Sequence, residues 1–339
     1  MQTLYLLDAY ALIYRAYYAL IRSPRINSKG QNTSAVYGFV NTLNDVLNTE
    51  KPDFIGIAFD PAGGTFRHEA YPAYKAQREA TPEDIKWAVP VIKDIIRAYN
   101  IPILEVPGYE ADDVIGTLAM KGREAGLEVH MVTPDKDYAQ LVKPGIFMRR
   151  PGHGASAMEK LGPDEVCQKY GISHTDQVID LLGLMGDTAD NVPGCPGVGE
   201  KTAVKLITQF GSIDNLLNST DQLKGAIKRK VEENKEQISF SKFLVTIKTD
   251  VPIDLDLDTL RTTEANKEAL RPIYENLEFR AFIKKLDDKP AEVQKSVSEW
   301  GALFDTQPDN RSDEPKEITH KTLNDVPHTY VLVDNESDA

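Results

Sequence analysis

Short apolar runs alternate with longer stretches of mixed polarity over the first 150 residues. Residues 2–8 (Gln-Thr-Leu-Tyr-Leu-Leu-Asp) and 53–60 (Asp-Phe-Ile-Gly-Ile-Ala-Phe-Asp) read as buried strands that end at a carboxylate. Residues 127–133 form a third such run and lead into Thr133-Pro134-Asp135, and 101–106 and 145–149 are further strand candidates. Helical periodicity falls between them, at about 33–49, 81–99 and 110–125. Strands that alternate with helices predict an α/β fold with a mainly parallel central sheet flanked by helices. In such sheets the ligand site lies beyond the carboxyl ends of the strands.

From about residue 160 the strand signal fades. Residues 163–170, 175–186, 199–210, 212–218 and 222–248 read as helices, with further helical pieces near 264–277 and 279–286. The expected division is a core at 1–160 and a helical region at 161–286. An acidic linker at 287–328 and a lone strand near 329–334 follow, as if a further domain began there.

Composition changes this picture in one respect. The chain of 339 residues has a net charge of −13, which at first argues against a polyanionic partner. Residues 287–339 hold 13 acidic and 5 basic side chains, so the preceding body carries only −5. An acidic total therefore does not exclude a phosphate-binding surface. Cys167 and Cys195 are isolated and form no metal-spaced pair, which fits a reducing cytoplasm. No apolar run approaches the ~20 residues a membrane span needs.

Nine carboxylates fall in five clusters: Asp8; Asp60; Glu110, Asp112 and Asp113; Asp135 and Asp137; Asp187 and Asp190. Each cluster alone has an ordinary reading as a helix cap or a surface turn. Together they predict a pocket of concentrated negative charge at the strand ends. Unpaired carboxylates so close together raise one another's pKa, and divalent cations relieve the conflict. Oxygen-only ligation points to two Mg²⁺ or Mn²⁺ ions and to hydrolysis of a phosphodiester.

Two further stretches complete the pattern. After Asp60 come Arg67, Tyr71, Tyr74, Lys75 and Arg78, cations for a phosphate and tyrosines for unpaired bases. The alternative is a solvated loop whose tyrosines pack on the body. Pro193-Gly194-Cys195-Pro196-Gly197-Val198-Gly199-Glu200-Lys201-Thr202-Ala203 has the form of a helix-hairpin-helix. Its Gly194, Gly197, Val198, Gly199, Lys201 and Thr202 are candidate contacts to a duplex backbone.

These motifs resemble the 5′ nuclease (flap endonuclease) family, in the branch that forms N-terminal exonuclease domains of bacterial polymerases. The carrying residues are Phe66-Arg67-His68-Glu69-Ala70-Tyr71, Tyr74-Lys75, Val106 to Asp113, Asp135-Lys136-Asp137, and Gly186 to Gly194 with Gly197 to Ala203. The resemblance covers about residues 1–286. It implies a PIN-like core, a helical arch at about 62–90, and a helix-hairpin-helix on duplex DNA. It assigns Asp8, Asp60, Glu110 and Asp112 to one metal and Asp135, Asp137, Asp187 and Asp190 to a second, with Asp113 in support. It gives phosphate steering to Lys75 and Arg78, with Arg67 a further candidate. It also implies a K⁺ ion at the hairpin, and as substrate a DNA 5′ end or 5′ flap at a duplex junction, including an RNA primer–DNA hybrid. The chain is expected to act as a monomer. Many relatives carry Gly after the first aspartate, where this chain has Ala9. Two alternatives stay open: a metal-dependent ribonuclease on a similar core, and an inactive DNA-junction binding module.

Overall fold

The computed structural model describes residues 1–152 and 158–287. Its sheet comprises β1 (Thr3–Asp8), β2 (Phe54–Ala58), β3 (Ile103–Leu104), β4 (Glu128–Val132), β5 (Ile146–Arg150) and β6 (Glu159–Leu161). The strand order is β3-β2-β1-β4-β5-β6, and only the β5–β6 pairing is antiparallel. Helices α1 (Ala9–Ala19), α2 (Ser34–Asp45), α3 (Phe66–Ala70), α4 (Glu83–Ala98) and α5 (Ala111–Glu124) belong to this part.

Both faces of the sheet are covered, which is why β1 reads as an unbroken apolar run. Leu4 and Leu6 pack on the α5 face, while Tyr5 and Leu7 pack on the face covered by α1, α2 and α4. Strand order reverses about β1, which lies between β2 and β4. A crevice at such a reversal is where open α/β sheets bind ligands.

The later chain is helical: α6 (Pro163–Tyr170), α7 (Gln177–Met185), α8 (Glu200–Phe210), α9 (Ile213–Asn218), α10 (Gly225–Glu233), α11 (Lys235–Val245), α12 (Leu257–Leu260), α13 (Lys267–Asn276) and α14 (Arg280–Asp287). Helices α7 to α11 share a core of their own, built on Leu181, Leu184, Ala203, Ile207, Ile213 and Ile238. Residues 267–287 return to the first part. Leu270, Tyr274, Phe279 and Phe282 pack on the face covered by α2 and α4.

Several expectations change. Helix α1 directly follows β1, because the Asp8 carboxylate caps its first turn. Ala9 is fully buried as its first helical residue and has no left-handed φ, so glycine is not required there. The expected arch is not helical throughout. Between α3 and α4, residues 71–82 form turns and extended chain. Helix α4 is a packed helix, with Ile85, Ala88, Ile92, Ile95 and Ile96 buried at helical spacing. The single helix expected over 222–248 is broken at Asn234, whose side-chain amide donates to Lys230 O at 2.7 Å. The linker and the terminal strand lie outside the described residues.

Candidate metal centre and nucleic-acid interface

Each acidic cluster reaches the carboxyl edge of the sheet by a local device. Asp8 ends β1; its Oδ1 accepts from Ala11 N at 3.1 Å and its Oδ2 from Thr133 Oγ1 at 3.2 Å. Asp60 lies two residues past β2 and accepts from Ala111 N at 2.8 Å, so it pins the start of α5. Glu110 is the N-cap of α5, with Asp112 and Asp113 in its first turn. Ligand oxygens of these three lie within 4.8 Å of one another. Past β4, Asp135 caps the 3₁₀ turn Lys136–Leu141 by accepting from Asp137 N at 3.0 Å. Asp187 and Asp190 sit on the loop after α7, where Asp187 Oδ1 accepts from Ala189 N at 2.7 Å. Asp112, Asp135, Asp137, Asp187 and Asp190 line one polar pocket with Tyr74, Lys75 and Arg78.

The five clusters share one electric field. Burial, reinforced by the Asp60 and Asp135 charges, pushes the Asp8 carboxyl up to about 7. Burial and the Asp135 and Asp187 charges push Asp137 up to about 8. Burial also raises Asp60, Asp112 and Asp135. Glu110 goes the other way: burial opposes its charge, but Lys75 and Arg67 outweigh burial and hold the carboxyl below its usual range.

Arg67 explains that difference and corrects its expected role. Its side chain is 1% exposed, so it cannot steer a phosphate from solvent. Nε donates to Leu244 O at 2.9 Å; Nη1 donates to Glu110 at 3.0 Å and Asp113 at 2.8 Å; Nη2 donates to Asp113 and Thr246 O at 2.8 Å each. Every guanidinium N–H is thus used to join α3, the start of α5 and the end of α11. Asp113 is engaged with it. One oxygen accepts from Arg67 and Lys248 N, the other from Arg67 and Glu110 N. Asp113 is the counter-charge of Arg67, which fits its expected supporting place beside Glu110 and Asp112.

The two tyrosines also change role. Tyr74 is 4% exposed, and its hydroxyl donates toward Glu110 at 3.0 Å and Asp190 at 3.2 Å, so it cannot stack on a base. Tyr71 is half-buried edge-on against Phe240, the packed alternative. Lys75 and Arg78 do face the pocket. Lys75 Nζ lies 2.6 Å from Glu110 and 3.8 Å from Asp190, and Arg78 pairs with Asp190.

The sequence reading missed Lys136, although its place between two aspartates was a signal; it pairs with Asp187 at 2.8 Å. It also missed Gln140, for which no pattern exists. The Gln140 amide donates to Asp137 O and Val245 O and accepts from Ile247 N, tying the Asp137 turn to the end of α11.

The hairpin divides into an internal and an external half. Gly194 is buried in left-handed backbone, its N–H donates to Ser241 Oγ and its carbonyl accepts from Gln237. A Cβ there would run into the backbone of Met185 and Gly186, so this glycine permits close approach of two chains. Val198 is 5% exposed in the helical core and its N–H donates to Cys195 O. Neither residue is placed to touch a duplex, which corrects both expectations. Gly197, Gly199 and Lys201 are exposed, and Thr202 is half-buried. Among the described residues, the N–H groups of Gly199, Glu200 and Lys201 make no intramolecular hydrogen bond. They form an open helix N-terminus suited to a phosphate oxygen.

The donors present fit divalent cations. They are all oxygen, burial and then neighbouring carboxylates push two of the carboxyls up to about 7 and about 8, and Asp137 Oδ1 is buried without a hydrogen-bond partner. Asp112 shares the pocket with Asp135, Asp137, Asp187 and Asp190, while Asp8 and Asp60 lie close enough for the Asp60 charge to raise the Asp8 carboxyl.

A parallel sheet with this acidic edge, joined to a helical hairpin, defines a class: an acidic-centre nuclease. Two family models match the chain: "5′-3′ exonuclease, N-terminal resolvase-like domain" over residues 3–171, and "5′-3′ exonuclease, C-terminal SAM fold" over 173–268. DNA polymerase I of Bacillus caldotenax is 37% identical over 340 residues, covering 98% of this chain and 38% of that protein. DNA polymerase I of Bacillus subtilis (strain 168) is 41% identical over 297 residues, covering 87% and 33%. Among solved structures, T5 5′-exonuclease with bound zinc has a TM-score of 0.63 at 17% identity, covering 82% of this chain and 99% of that one. The catalytic core of Rad2 in complex with DNA substrate has a TM-score of 0.55 at 16% identity, covering 82% and 88%. The chain belongs to the 5′-3′ exonuclease family, in the form carried by DNA polymerase I. It spans about two-fifths or less of the length of these curated relatives. Among the described residues, no helix is long and apolar enough to cross a membrane.

Proposed function

We propose that the chain is a structure-specific nuclease that removes 5′ flaps and RNA primers at DNA duplex junctions, as the N-terminal part of a DNA polymerase I. The observation that carries this reading is the pocket in which carboxylates from the start of α5, the turn after β4 and the loop after α7 face Lys75 and Arg78. Asp8, Asp60, Glu110 and Asp112 would hold one Mg²⁺ or Mn²⁺, and Asp135, Asp137, Asp187 and Asp190 a second. Such a pair of ions supplies a water nucleophile and neutralises the leaving oxygen. Around it, Lys75 and Arg78 orient the scissile phosphate. Tyr74 and Arg67 hold Glu110 in place by hydrogen bonds.

In this reading the free N–H groups of Gly199, Glu200 and Lys201 grip a duplex phosphate, with Lys201 adding charge and no sequence preference. A K⁺ ion at the hairpin carbonyls, a monomeric state and a cytoplasmic location complete the proposal. The hairpin favours a DNA duplex over the ribonuclease alternative, since single-stranded RNA offers no duplex to seat there. The retained carboxylates argue against an inactive junction binder.

The experiment is cleavage of a 5′-flap duplex with Mg²⁺ by the wild type and by Asp112→Ala. Cutting by the wild type and a loss of at least a hundredfold in the variant is expected. Equal cutting by both would sink the reading, and faster cutting of single-stranded RNA would replace it with the ribonuclease.

A further inference from the structure

Two segments that carry charges of the acidic centre are fastened to each other. Residues 73–78 follow α3, and residues 187–191 follow α7. Asn191 Nδ2 donates to Ala73 O at 2.7 Å, Lys75 N to Asp190 O at 3.0 Å, Gln77 Nε2 to Thr188 O at 2.6 Å and Arg78 Nε to Ala189 O at 3.3 Å. Three consecutive carbonyls of one loop thus receive three donors from the other. Side chains add to this, since the Tyr74 hydroxyl and the Arg78 guanidinium both bond the Asp190 carboxylate.

The backbone bends to make this contact. Lys75 has φ 56° and Asn191 has φ 58°, the left-handed region that non-glycine residues enter at a cost. Asparagine bears that conformation more readily than lysine, and neither residue lies in a helix or strand. The strain persists only because the surrounding contacts fix it.

We propose that these contacts form a clasp in which Asn191 and Gln77 are positioning residues: they hold the Lys75 ammonium against Glu110 and Asp190, so the cationic segment and the carboxylate loop act as one body. The same loop runs through Val192 and Pro193 into the hairpin, and Asp187 and Val192 bond each other both ways across its base. The clasp therefore also ties the Lys75 segment to the element that grips the duplex. Its kinetic consequence rests on the 5′-nuclease reading above; the clasp itself does not.

The test compares the full chain with Asn191→Gly and with Asn191→Gly/Gln77→Ala. Glycine keeps the left-handed backbone and removes only the amide bond to Ala73. Amide hydrogen exchange at Lys75 should accelerate about tenfold in the single variant, the value of one hydrogen bond, and further in the double. On a 5′-flap duplex with Mg²⁺, kcat should fall by a similar factor while KM stays within about threefold. Unchanged exchange at Lys75 in the double variant overturns the clasp. A rise in KM with kcat intact overturns the positioning role. Should Asn191→Gly fail to fold, Gln77→Ala alone carries the same readouts, because Gln77 is exposed. A wild type that cuts no 5′-flap DNA defeats the functional reading, while the exchange comparison still decides the clasp.

Discussion

The two halves of the acidic centre are built on different principles. Around Glu110 and Asp113 the protein supplies its own compensation: Arg67 spends every donor inside, and Glu110 stays ionised. Around Asp135, Asp137, Asp187 and Asp190 the compensating cations are Lys75, 3.8 Å from Asp190, and the half-exposed Arg78 and Lys136, and Asp137 is pushed up to about 8. One half is a fixed lattice that orients a ligand; the other is a set of charges open to compensation from solvent. A site that must hold a cation and yet keep its shape needs both. The lattice resists collapse, and the open half provides the electrostatic drive for ions.

The comparison is most sharply broken at Arg67. Arg67→Ala leaves the fully buried Asp113 without its counter-charge and should cost about 3–5 kcal/mol in urea unfolding. Arg67→Lys should recover little, because an ammonium cannot reproduce the planar fork. A loss below about 1 kcal/mol would show the lattice to be ornamental.

The raised carboxyls, Asp8 beside Asp60 and Asp137 in the open half, are tested by pH. The unfolded chain ionises its aspartates near their usual value, about 3.9. Asp8 and Asp137 keep their protons in the folded state up to about 7 and about 8. Stability of the metal-free chain should therefore be fullest at low pH on account of these groups. It should decline as pH rises toward 8 and then level off. A divalent cation removes that penalty, so the rise in melting temperature with Mn²⁺ should be larger at pH 8 than at pH 6. Asp137→Asn should stabilise the metal-free chain at pH 8 and shrink the Mn²⁺ response. Equal Mn²⁺ responses at the two pH values would place the raised carboxyls outside the ion site.

The smallest effect belongs to the hairpin. Lys201 is exposed and unpaired among the described residues, so Lys201→Ala should leave stability within about 0.5 kcal/mol. Its affinity for duplex DNA should fall a few-fold at low salt, with a shallower salt dependence. An unchanged salt slope would remove Lys201 from the interface.

Legibility follows the range of the interaction. Asp8, Asp60 and Asp135 were readable because each ends an apolar run that a parallel sheet must bury, and strand ends converge on one edge. The hairpin was readable from its glycines, although Gly194 proved to serve chain packing rather than a phosphate. Arg67 and Tyr74 were misread because their types and places fit a solvent-facing site equally well. Only Leu244 and Thr246, some 180 residues along the chain, close the cage around Arg67. Gln140 left no trace in any local pattern for the same reason.

By itself the sequence determined the layered α/β class, the edge of the sheet where the acidic clusters gather, and the hairpin. These depend on periodicity and short spacings, which local backbone geometry translates directly. The tertiary structure decided which charges are spent holding the protein together and which remain for a ligand. That division depends on burial and on partners distant in the chain, and both exist only once the helical region closes onto the sheet.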